Sequence, residues 1–313
     1  MSEPGGGWGA GAGGAALAAA ASWAVATTLM KGAIVRAGPR AMNLFRLCIA
    51  TLLFWGATLL LDGAAAARAI ASHEGLALLG SGVIGLALGD VLLFTAMRRL
   101  GAQPAVALNQ LSPIWSALSG FLLGSEALRA RDLGGIALVL GGVLLVIFGR
   151  AAPKVATAEA MPAAAAARRL RRSGVLAGIG SSLCNAAAGM ITHHAIVAVG
   201  VLPGSTLRMT GGAVALLLAT LLAGRAAADL APLREAPRRG RELLAVLIGT
   251  FLGVFLQQQA YAGLDASIAL CLLSTTPLFL LPMAVTLLGE RYRWWAWLGT
   301  LLATAGVPLL RVG

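Results

Sequence analysis

Apolar residues occur along this chain in ten long runs that are separated by short polar gaps. A helix needs about 20 apolar residues to cross the hydrocarbon core of a bilayer, and the runs approach or exceed that length. Several gaps are only a few residues long, so the helices on either side of them must be antiparallel. The pattern predicts an all-α polytopic membrane protein with ten transmembrane helices. The predicted spans are residues 13–30, 41–61, 76–97, 102–124, 132–149, 174–197, 203–223, 243–263, 266–288 and 294–310.

Composition supports this assignment to the membrane. Of 313 residues, 58% are hydrophobic and 12% are charged, which leaves too little polar surface to cover a water-soluble globule of this size. The net charge of +12 does not indicate a nucleic-acid partner, because the basic residues lie between the apolar runs and are not interleaved with aromatic residues. All three cysteines lie inside apolar runs, and we expect no disulfide, metal or cofactor.

The basic residues also predict an orientation. Of the lysines and arginines outside the spans, 18 fall in alternate connections on one side of the membrane and 4 on the other side. Because cytoplasmic loops carry the excess of positive charge, both termini are predicted to lie on the non-cytoplasmic side. Residues 150–172, rich in alanine and arginine, then form a basic cytoplasmic linker. We expect a bacterial-type inner (plasma) membrane as the location.

The chain contains an internal repeat. Residues 84–143 align without a gap on residues 248–307 at a constant offset of 164, and a weaker match at an offset of 162 covers the first two spans of each half. The unit is therefore five helices, with one copy in residues 1–149 and another in residues 173–313. Because five is odd, the two copies cross the membrane in opposite directions, which predicts two inverted five-helix repeats.

The repeated residues resemble a known family. Each half carries an arginine early in its second span, a proline in its fourth span and a glutamate where the fourth span ends. These residues are Arg46 and Arg208, Pro113 and Pro277, and Glu126 and Glu290. The arrangement resembles the EamA-type transporters of the drug/metabolite transporter superfamily over essentially the whole chain. That resemblance implies ten helices, a central cavity, and export or exchange of small metabolites, often amino acids.

Ionisable residues inside the membrane are costly and are therefore candidates for function. Arg46 and Asp90 lie at similar depths in the second and third spans, so the two side chains can meet. One interpretation places them at the substrate pathway, with Asp90 as the candidate for proton coupling. The other interpretation is a buried ion pair that only holds two helices together.

The second half lacks this acid. At the offset of 164, Asp90 corresponds to Val254, and the nearest polar residues to accompany Arg208 are glutamines, among them Gln257 and Gln258. An arginine that faces amides stays positively charged, so Arg208 is predicted to bind a substrate carboxylate or another anion. The alternative is that Arg208 extends its side chain to the outer membrane surface.

The two prolines predict kinks. Pro113 and Pro277 cannot donate a backbone hydrogen bond, so each fourth span of a repeat is expected to bend and to leave a carbonyl oxygen unpaired. Polar residues cluster just before both prolines and predict walls of a water-filled cavity. The alternative is simple packing of helices through hydroxyl groups. The polar residues are Asn109, Gln110, Ser112, Ser274, Thr275 and Thr276.

Two further positions differ between the repeats and are candidates for substrate binding. Trp23 in the first span aligns with Asn185 in the sixth, so an aromatic face in one half corresponds to a hydrogen-bonding amide in the other. Trp23 can equally be a packing residue. His193 and His194 are either proton-coupling residues or, as the simpler interpretation, a solvent-facing pair.

These observations predict a transporter that exports or exchanges small metabolites by alternating access between two halves. Its partners are then a small-molecule substrate, the lipid bilayer and, as candidate coupling ions, protons, and a monomer is expected to suffice. The alternative is a polytopic membrane enzyme that acts on lipid-linked substrates. Such an enzyme needs an acid/base or metal constellation that the sequence does not suggest, so we predict that the protein is not an enzyme.

Overall fold

Helices make up almost all of the chain for which the structure, a computed structural model, gives positions. It describes residues 8–122, 130–149, 161–224, 239–264 and 272–309, together with Ala227 and Ala269. The helices are α1 (Trp8–Ala37), α2 (Pro39–Leu61), α3 (Ala65–Ala69), α4 (His73–Gly82), α5 (Asp90–Leu100), α6 (Ala102–Asn109), α7 (Ser112–Leu122), α8 (Ala130–Gly149), α9 (Met161–Val199), α10 (Val201–Leu222), α11 (Arg239–Ala245), α12 (Gly253–Gly263), α13 (Thr276–Thr286) and α14 (Trp294–Gly306). No β-sheet occurs within these ranges.

The prediction of a helical membrane protein is confirmed, whereas the number of ten spans is not. Within the described ranges, six helical segments are long and apolar enough to cross a membrane, as judged by length and composition. They begin in α1, α2, α4, α9, α10 and α11. The predicted fourth and ninth spans are interrupted, and the apolar parts of the fifth and tenth are shorter, at Leu133–Gly149 and Trp294–Gly306.

Two of the long helices contain a π-helical stretch at nearly matching positions of the repeat. Val83–Gly89 joins α4 to α5, and Val246–Leu252 joins α11 to α12. The first stretch also packs tightly on the second half of the chain. A methyl group added at Gly85 would lie 2.8 Å from the Cβ atom of Ala188 in α9. Such turns are rare in proteins and are often found at functional sites.

The predicted fourth and ninth spans are broken rather than kinked. The fourth stops at Asn109 and restarts at Ser112, so Pro113 lies in the first turn of α7. Pro277 likewise lies in the first turn of α13. A hydroxyl group satisfies the carbonyl oxygen that each proline leaves without a donor. Ser112 donates to the Asn109 oxygen and its repeat equivalent Thr276 donates to the Leu273 oxygen, both at 2.8 Å. Hydroxyl groups at the two breaks thus replace lost backbone hydrogen bonds.

The last helices of the two repeats, α8 and α14, pack against each other through glycines. A methyl group added at Gly299 would lie 2.6 Å from the Gly142 carbonyl oxygen, and one added at Gly306 would lie 2.8 Å from the Gly135 oxygen. Residue numbers rise along α8 as they fall along α14, so the two helices are antiparallel. The absence of side chains at these positions lets the backbones approach closely, as is common between helices in lipid.

The segment that was predicted as a linker is partly helical. Residues 150–160 lie outside the described ranges, and α9 already begins at Met161, before the predicted span at 174–197. The basic residues of this early part of α9, from Arg168 to Arg172, are exposed. Continuous helix through residues 161–173 is consistent with their high content of alanine and arginine, which are strong helix formers.

Candidate functional site

Arg46 belongs to a compact polar cluster between α2 and α5. Its guanidinium group donates a hydrogen bond to the carboxylate of Asp90, and both residues are buried. Asn43, one helical turn earlier, accepts from the same guanidinium at 2.9 and 3.2 Å and donates to the Leu86 carbonyl oxygen at 2.7 Å. The ring of Phe94 lies 5.5 Å from the guanidinium carbon. The charge of Arg46 is therefore matched by a carboxylate, an amide and an aromatic face.

Arg208 has a different environment. Its Nε atom donates to the hydroxyl of Ser81 in α4 at 3.1 Å, and Thr192 in α9 also contacts that hydroxyl, at 3.2 Å. The two terminal nitrogens of Arg208 make no hydrogen bond to any residue within the described ranges. The residue is only 6% exposed, which excludes the alternative that it reaches the membrane surface. Arg208 is thus a buried cation with a neutral hydrogen-bond partner.

The two arginines share one carboxylate unequally. Asp90 makes its hydrogen bond to Arg46 and interacts only electrostatically with Arg208. Val254, at the position equivalent to Asp90, is buried in an apolar cluster and supplies no charge. The charge of Arg208 is therefore compensated less completely than that of Arg46.

The glutamines make no hydrogen bond to Arg208 in the described structure, so this part of the prediction is wrong. Gln257 lies one helical turn before Tyr261 in α12. Gln258 is fully buried, and neither its amide nitrogen nor its amide oxygen has a hydrogen-bond partner in the described structure. By the offset of 164, Gln258 corresponds to Phe94, the residue whose ring lies beside Arg46. A buried amide without a partner costs about 1–3 kcal/mol, and such groups call for an explanation such as a bound ligand.

Trp23 and Asn185 occupy matching environments in the two halves. A methyl group added at Gly253 would lie 2.9 Å from the indole nitrogen of Trp23, and one added at the equivalent Gly89 would lie 3.7 Å from the Asn185 oxygen. Asn185 also donates a hydrogen bond of 2.9 Å to Asn109. The structure thereby brings together Asn185 of the sixth predicted span and Asn109 of the fourth. Trp23 and Asn185 each pack against a glycine, and at Gly253 the absence of a side chain is what allows the indole of Trp23 to approach the backbone closely.

The two helix breaks meet each other. The Gln110 amide donates to the Ser274 carbonyl oxygen at 2.6 Å, and these residues are equivalent at the offset of 164. Gln103, fully buried in α6, donates to the hydroxyl of Thr300 at 3.0 Å and lies 3.3 Å from the carbonyl oxygen of Pro277. Polar groups of both breaks are therefore joined across the boundary between the repeats.

Contacts at the two ends of the bundle are also related by the repeat. Lys31 in α1 donates to the backbone oxygen of Met97 at the end of α5. At the offsets of 162 and 164, these residues correspond to His193 and Tyr261, whose rings contact edge to face with centroids 6.3 Å apart. Of the predicted histidine pair, His194 is exposed and His193 is half-buried. Equivalent pairs of residues are thus in contact in both halves, through a hydrogen bond in the first half and between two rings in the second.

The structure describes only one of the two glutamates that occupy equivalent positions in the repeats. Glu290 accepts a hydrogen bond from the backbone nitrogen of Ala102, at the start of α6, over 3.2 Å and another from the hydroxyl of Tyr292. It therefore holds the turn between α5 and α6. Glu126 lies outside the described residues.

Sequence reasoning missed several residues of this site. Asn43 lies three residues before Arg46, a spacing that places both on one helix face and could have identified it. Ser81 carried no such signal, because its hydrogen bond with Arg208 joins distant parts of the chain. Among the described residues, no group of three or more histidine, cysteine, aspartate or glutamate side chains could hold a metal ion.

Comparison with known proteins gives a family match over both halves. The model of the EamA-like transporter family matches residues 12–148 and 172–312. No curated protein matches the chain in a direct comparison. One solved crystal structure, described only as that of a protein, is similar with a TM-score of 0.63 at 15% sequence identity. The similarity covers 95% of this chain and 94% of the other, and at this identity it bears on the fold alone.

Proposed function

We propose, from the premise that the chain belongs to the EamA-like transporter family, that it exports or exchanges small metabolites that carry a carboxylate. Membership of this family makes the protein a multi-pass membrane transporter. We place the protein in a bacterial-type inner membrane, with both termini outside the cytoplasm and residues 150–172 as a cytoplasmic linker between repeats at 1–149 and 173–313.

The mechanism we propose is alternating access between two inverted halves. Helices α8 and α14 occupy equivalent places in the repeat and pack antiparallel, with the contacts of Gly135 on Gly306 mirrored by those of Gly299 on Gly142. Such reciprocal contacts are expected of a pseudo-two-fold axis that lies in the membrane plane. The contact of Gln110 with its own equivalent Ser274 supports an axis passing near the helix breaks.

The contacts at the two ends of the proposed pathway differ, and this difference affects the balance between the two states of the transporter. If the halves rock about that axis, the Lys31–Met97 contact and the His193–Tyr261 contact exchange roles in closing the two ends of the pathway. Because one contact is a charged hydrogen bond and the other is between rings, the two states differ in energy. A substrate can then shift their populations by binding one state more tightly.

The substrate carboxylate binds, in this proposal, at the terminal nitrogens of Arg208. The main support is that the Nε atom of this buried guanidinium has a neutral hydrogen-bond partner, while its terminal nitrogens have none among the described residues. A carboxylate accepts two parallel hydrogen bonds from such a group, so its charge and geometry both fit. Asn185 lies close to the same guanidinium, because a methyl group added at Gly85 would lie 3.7 Å from a terminal nitrogen of Arg208 and 3.9 Å from the Asn185 oxygen. We propose that Asn185 and Gln258, the repeat equivalent of the Phe94 beside Arg46, supply amides for the rest of the molecule.

Asp90 connects substrate binding with the first half. It hydrogen-bonds Arg46 and attracts Arg208 at longer range, so an anion at Arg208 competes with Asp90 for the attraction of that arginine. We propose Asp90 as the residue for proton coupling. The test is transport with and without an imposed pH gradient. A rate that does not depend on the gradient and is unchanged in Asp90→Asn would leave facilitated diffusion as the mechanism.

The substrate site is tested by replacing Arg208. Cells producing Arg208→Lys or Arg208→Gln are compared with cells producing the parent protein by metabolite profiling and by resistance to toxic amino-acid analogues. Losing a bidentate contact is expected to lower the apparent affinity about tenfold or more, with Lys retaining more activity than Gln. Arg68→Gln, at an exposed position in α3, is the control and should transport normally. Full activity with an unchanged substrate profile in both Arg208 variants would falsify the assignment.

A further inference from the structure

A cavity lies at the end of the bundle that is predicted to face the cytoplasm. It has a volume of about 260 Å³ and is formed by the last turns of α1, the start of α11 and the turn that follows α13. Ligand pockets for drug-sized molecules measure about 300–1,000 Å³, so this cavity suits a smaller group. Its charged lining residues are Lys31, Arg36, Arg241, Glu242 and Glu290.

Two neighbouring residues of this cavity are incompletely paired. Glu242 is 4% exposed, and its Oε1 atom accepts a hydrogen bond of 3.0 Å from Arg36. Its Oε2 atom is buried and has no partner in the described structure. The Nε atom of Arg241 is also buried without a partner, although a terminal nitrogen of this residue lies 3.4 Å from the Thr28 oxygen. One unsatisfied acceptor and one unsatisfied donor, both charged, therefore lie beside each other.

The remaining charges of the cavity are engaged. Lys31 donates to the Met97 oxygen, and Glu290 accepts from Ala102 and Tyr292. A ligand that satisfies the cavity must then offer an acceptor to Arg241 and an N–H donor to Glu242, because these two groups carry the unmet hydrogen-bonding capacity. A zwitterion with an anionic and an ammonium end has this chemistry.

The surroundings favour a lipid over a water-soluble zwitterion. Leu287 lines the cavity and is 64% exposed, and Leu243 and Leu244 directly after Glu242 are exposed as well. The segment Gly240–Gly263 is one of the six that can cross a membrane, so its start lies at the depth of the headgroups. Exposed leucines at this depth contact acyl chains, while basic pockets between helices bind lipid headgroups.

From these observations we infer that the cavity binds the headgroup of an aminophospholipid such as phosphatidylethanolamine. The phosphate lies against Arg241 and the ammonium group donates to Glu242 Oε2, while the acyl chains follow the exposed leucines. The site is separate from Arg208, which lies in α10, and it makes the stability of the protein depend on lipid type.

The test uses the full chain, purified and placed in bilayer nanodiscs that contain equal fractions of phosphatidylethanolamine or its mono-, di- or trimethylated forms. The net charge of the headgroup stays constant through this series, and the N–H donors fall to zero only in phosphatidylcholine. Thermal unfolding is followed by tryptophan fluorescence, and bound lipid is counted by native mass spectrometry. The unfolding temperature is expected to fall sharply at the last methylation, with binding weakened about tenfold or more.

Variants separate the site from bulk effects of the bilayer. Glu242→Gln and Arg241→Gln should lose the difference between phosphatidylethanolamine and phosphatidylcholine, whereas Glu74→Gln, at the start of α4 and outside the cavity, should keep it. If a variant fails to fold, the lipid methylation series on the parent protein still tests whether the cavity binds the headgroup. Equal stability in all four lipids would overturn the inference. So would stabilisation by soluble phosphoethanolamine that equals that of the lipid, because the cavity would then serve a free metabolite.

Discussion

The Arg46–Asp90 pair offers the sharpest test of how the first half is held together. In Asp90→Asn, the buried guanidinium of Arg46 loses its counter-charge but keeps the two hydrogen bonds to Asn43 and the ring of Phe94. Removing one partner of a buried pair costs about 3–5 kcal/mol, and the retained contacts place the expected loss near the lower limit, at about 3 kcal/mol. An equilibrium between folded and unfolded protein would shift by roughly 100-fold.

The measurement is reversible unfolding in mixed micelles as the fraction of sodium dodecyl sulfate rises, followed by far-ultraviolet circular dichroism. A double-mutant cycle with Arg46→Gln isolates the pair, and we expect a coupling free energy of about 1–3 kcal/mol, because the double variant leaves no buried charge behind. Asp62→Asn, an exposed carboxylate at the end of α2, is the matched control and should change stability by less than about 0.5 kcal/mol. A coupling near or below about 0.6 kcal/mol would refute the reasoning, since ordinary hydrogen bonds between membrane helices reach that value.

Three further substitutions test the packing of the described structure by the same unfolding assay. Gly142→Ala should destabilise by about 1–3 kcal/mol, because the new methyl group overlaps the backbone of α14. Thr276→Val should cost about 1–3 kcal/mol, because it leaves the carbonyl oxygen of Leu273 unpaired. Trp55→Phe should cost about 1 kcal/mol, because it removes a hydrogen bond of 2.9 Å to a hydroxyl in α10.

Each of these substitutions has its own control. Gly141 adjoins Gly142 but has open space around it, so Gly141→Ala should be neutral or slightly stabilising. Equal effects at the two glycines would contradict the packing of α8 on α14. Thr276→Ser retains the hydroxyl and should stay close to the parent protein, and a loss as large as that of Val would point to the methyl group instead. For Trp55, the acceptor is the hydroxyl of Thr210. If Trp55→Phe lowers the stability by the full amount while removal of the Thr210 hydroxyl changes nothing, the hydrogen bond is not the cause.

Much of the architecture could be predicted from the pattern of residues. The apolar runs and the offset of 164 predicted a helical membrane protein with two related halves, and the family match to residues 12–148 and 172–312 confirms the family. Hydrophobicity and repetition are properties of the chain itself, so they can be recognised in the sequence without knowledge of any contact. The π-helical stretches before Asp90 and Gly253 escaped notice, because an inserted residue in a helix leaves the apolar pattern of a buried span unchanged.

Pro113 and Pro277 mark the limit of local reasoning. A missing N–H group predicts that a helix is disturbed, but the size of the disturbance depends on what stabilises the freed groups. Here hydroxyl groups satisfy the freed oxygens, and Gln110 contacts the opposite break at Ser274, so the helices stop altogether. These partners include residues far apart in the chain, which no local pattern connects.

The sequence by itself determined that both halves carry an arginine within a predicted span and that only the first half carries Asp90. Only the tertiary structure decided that Arg208 is buried and what each arginine contacts. Arg46 meets a carboxylate as expected, whereas Arg208 meets Ser81 of the other repeat instead of the glutamines that follow Val254. The physical reason is that the charge of a residue and its place in an apolar run follow from residue types along the chain, while burial and hydrogen bonding depend on which helices adjoin and how they are rotated. That geometry arises from the packing of the whole bundle.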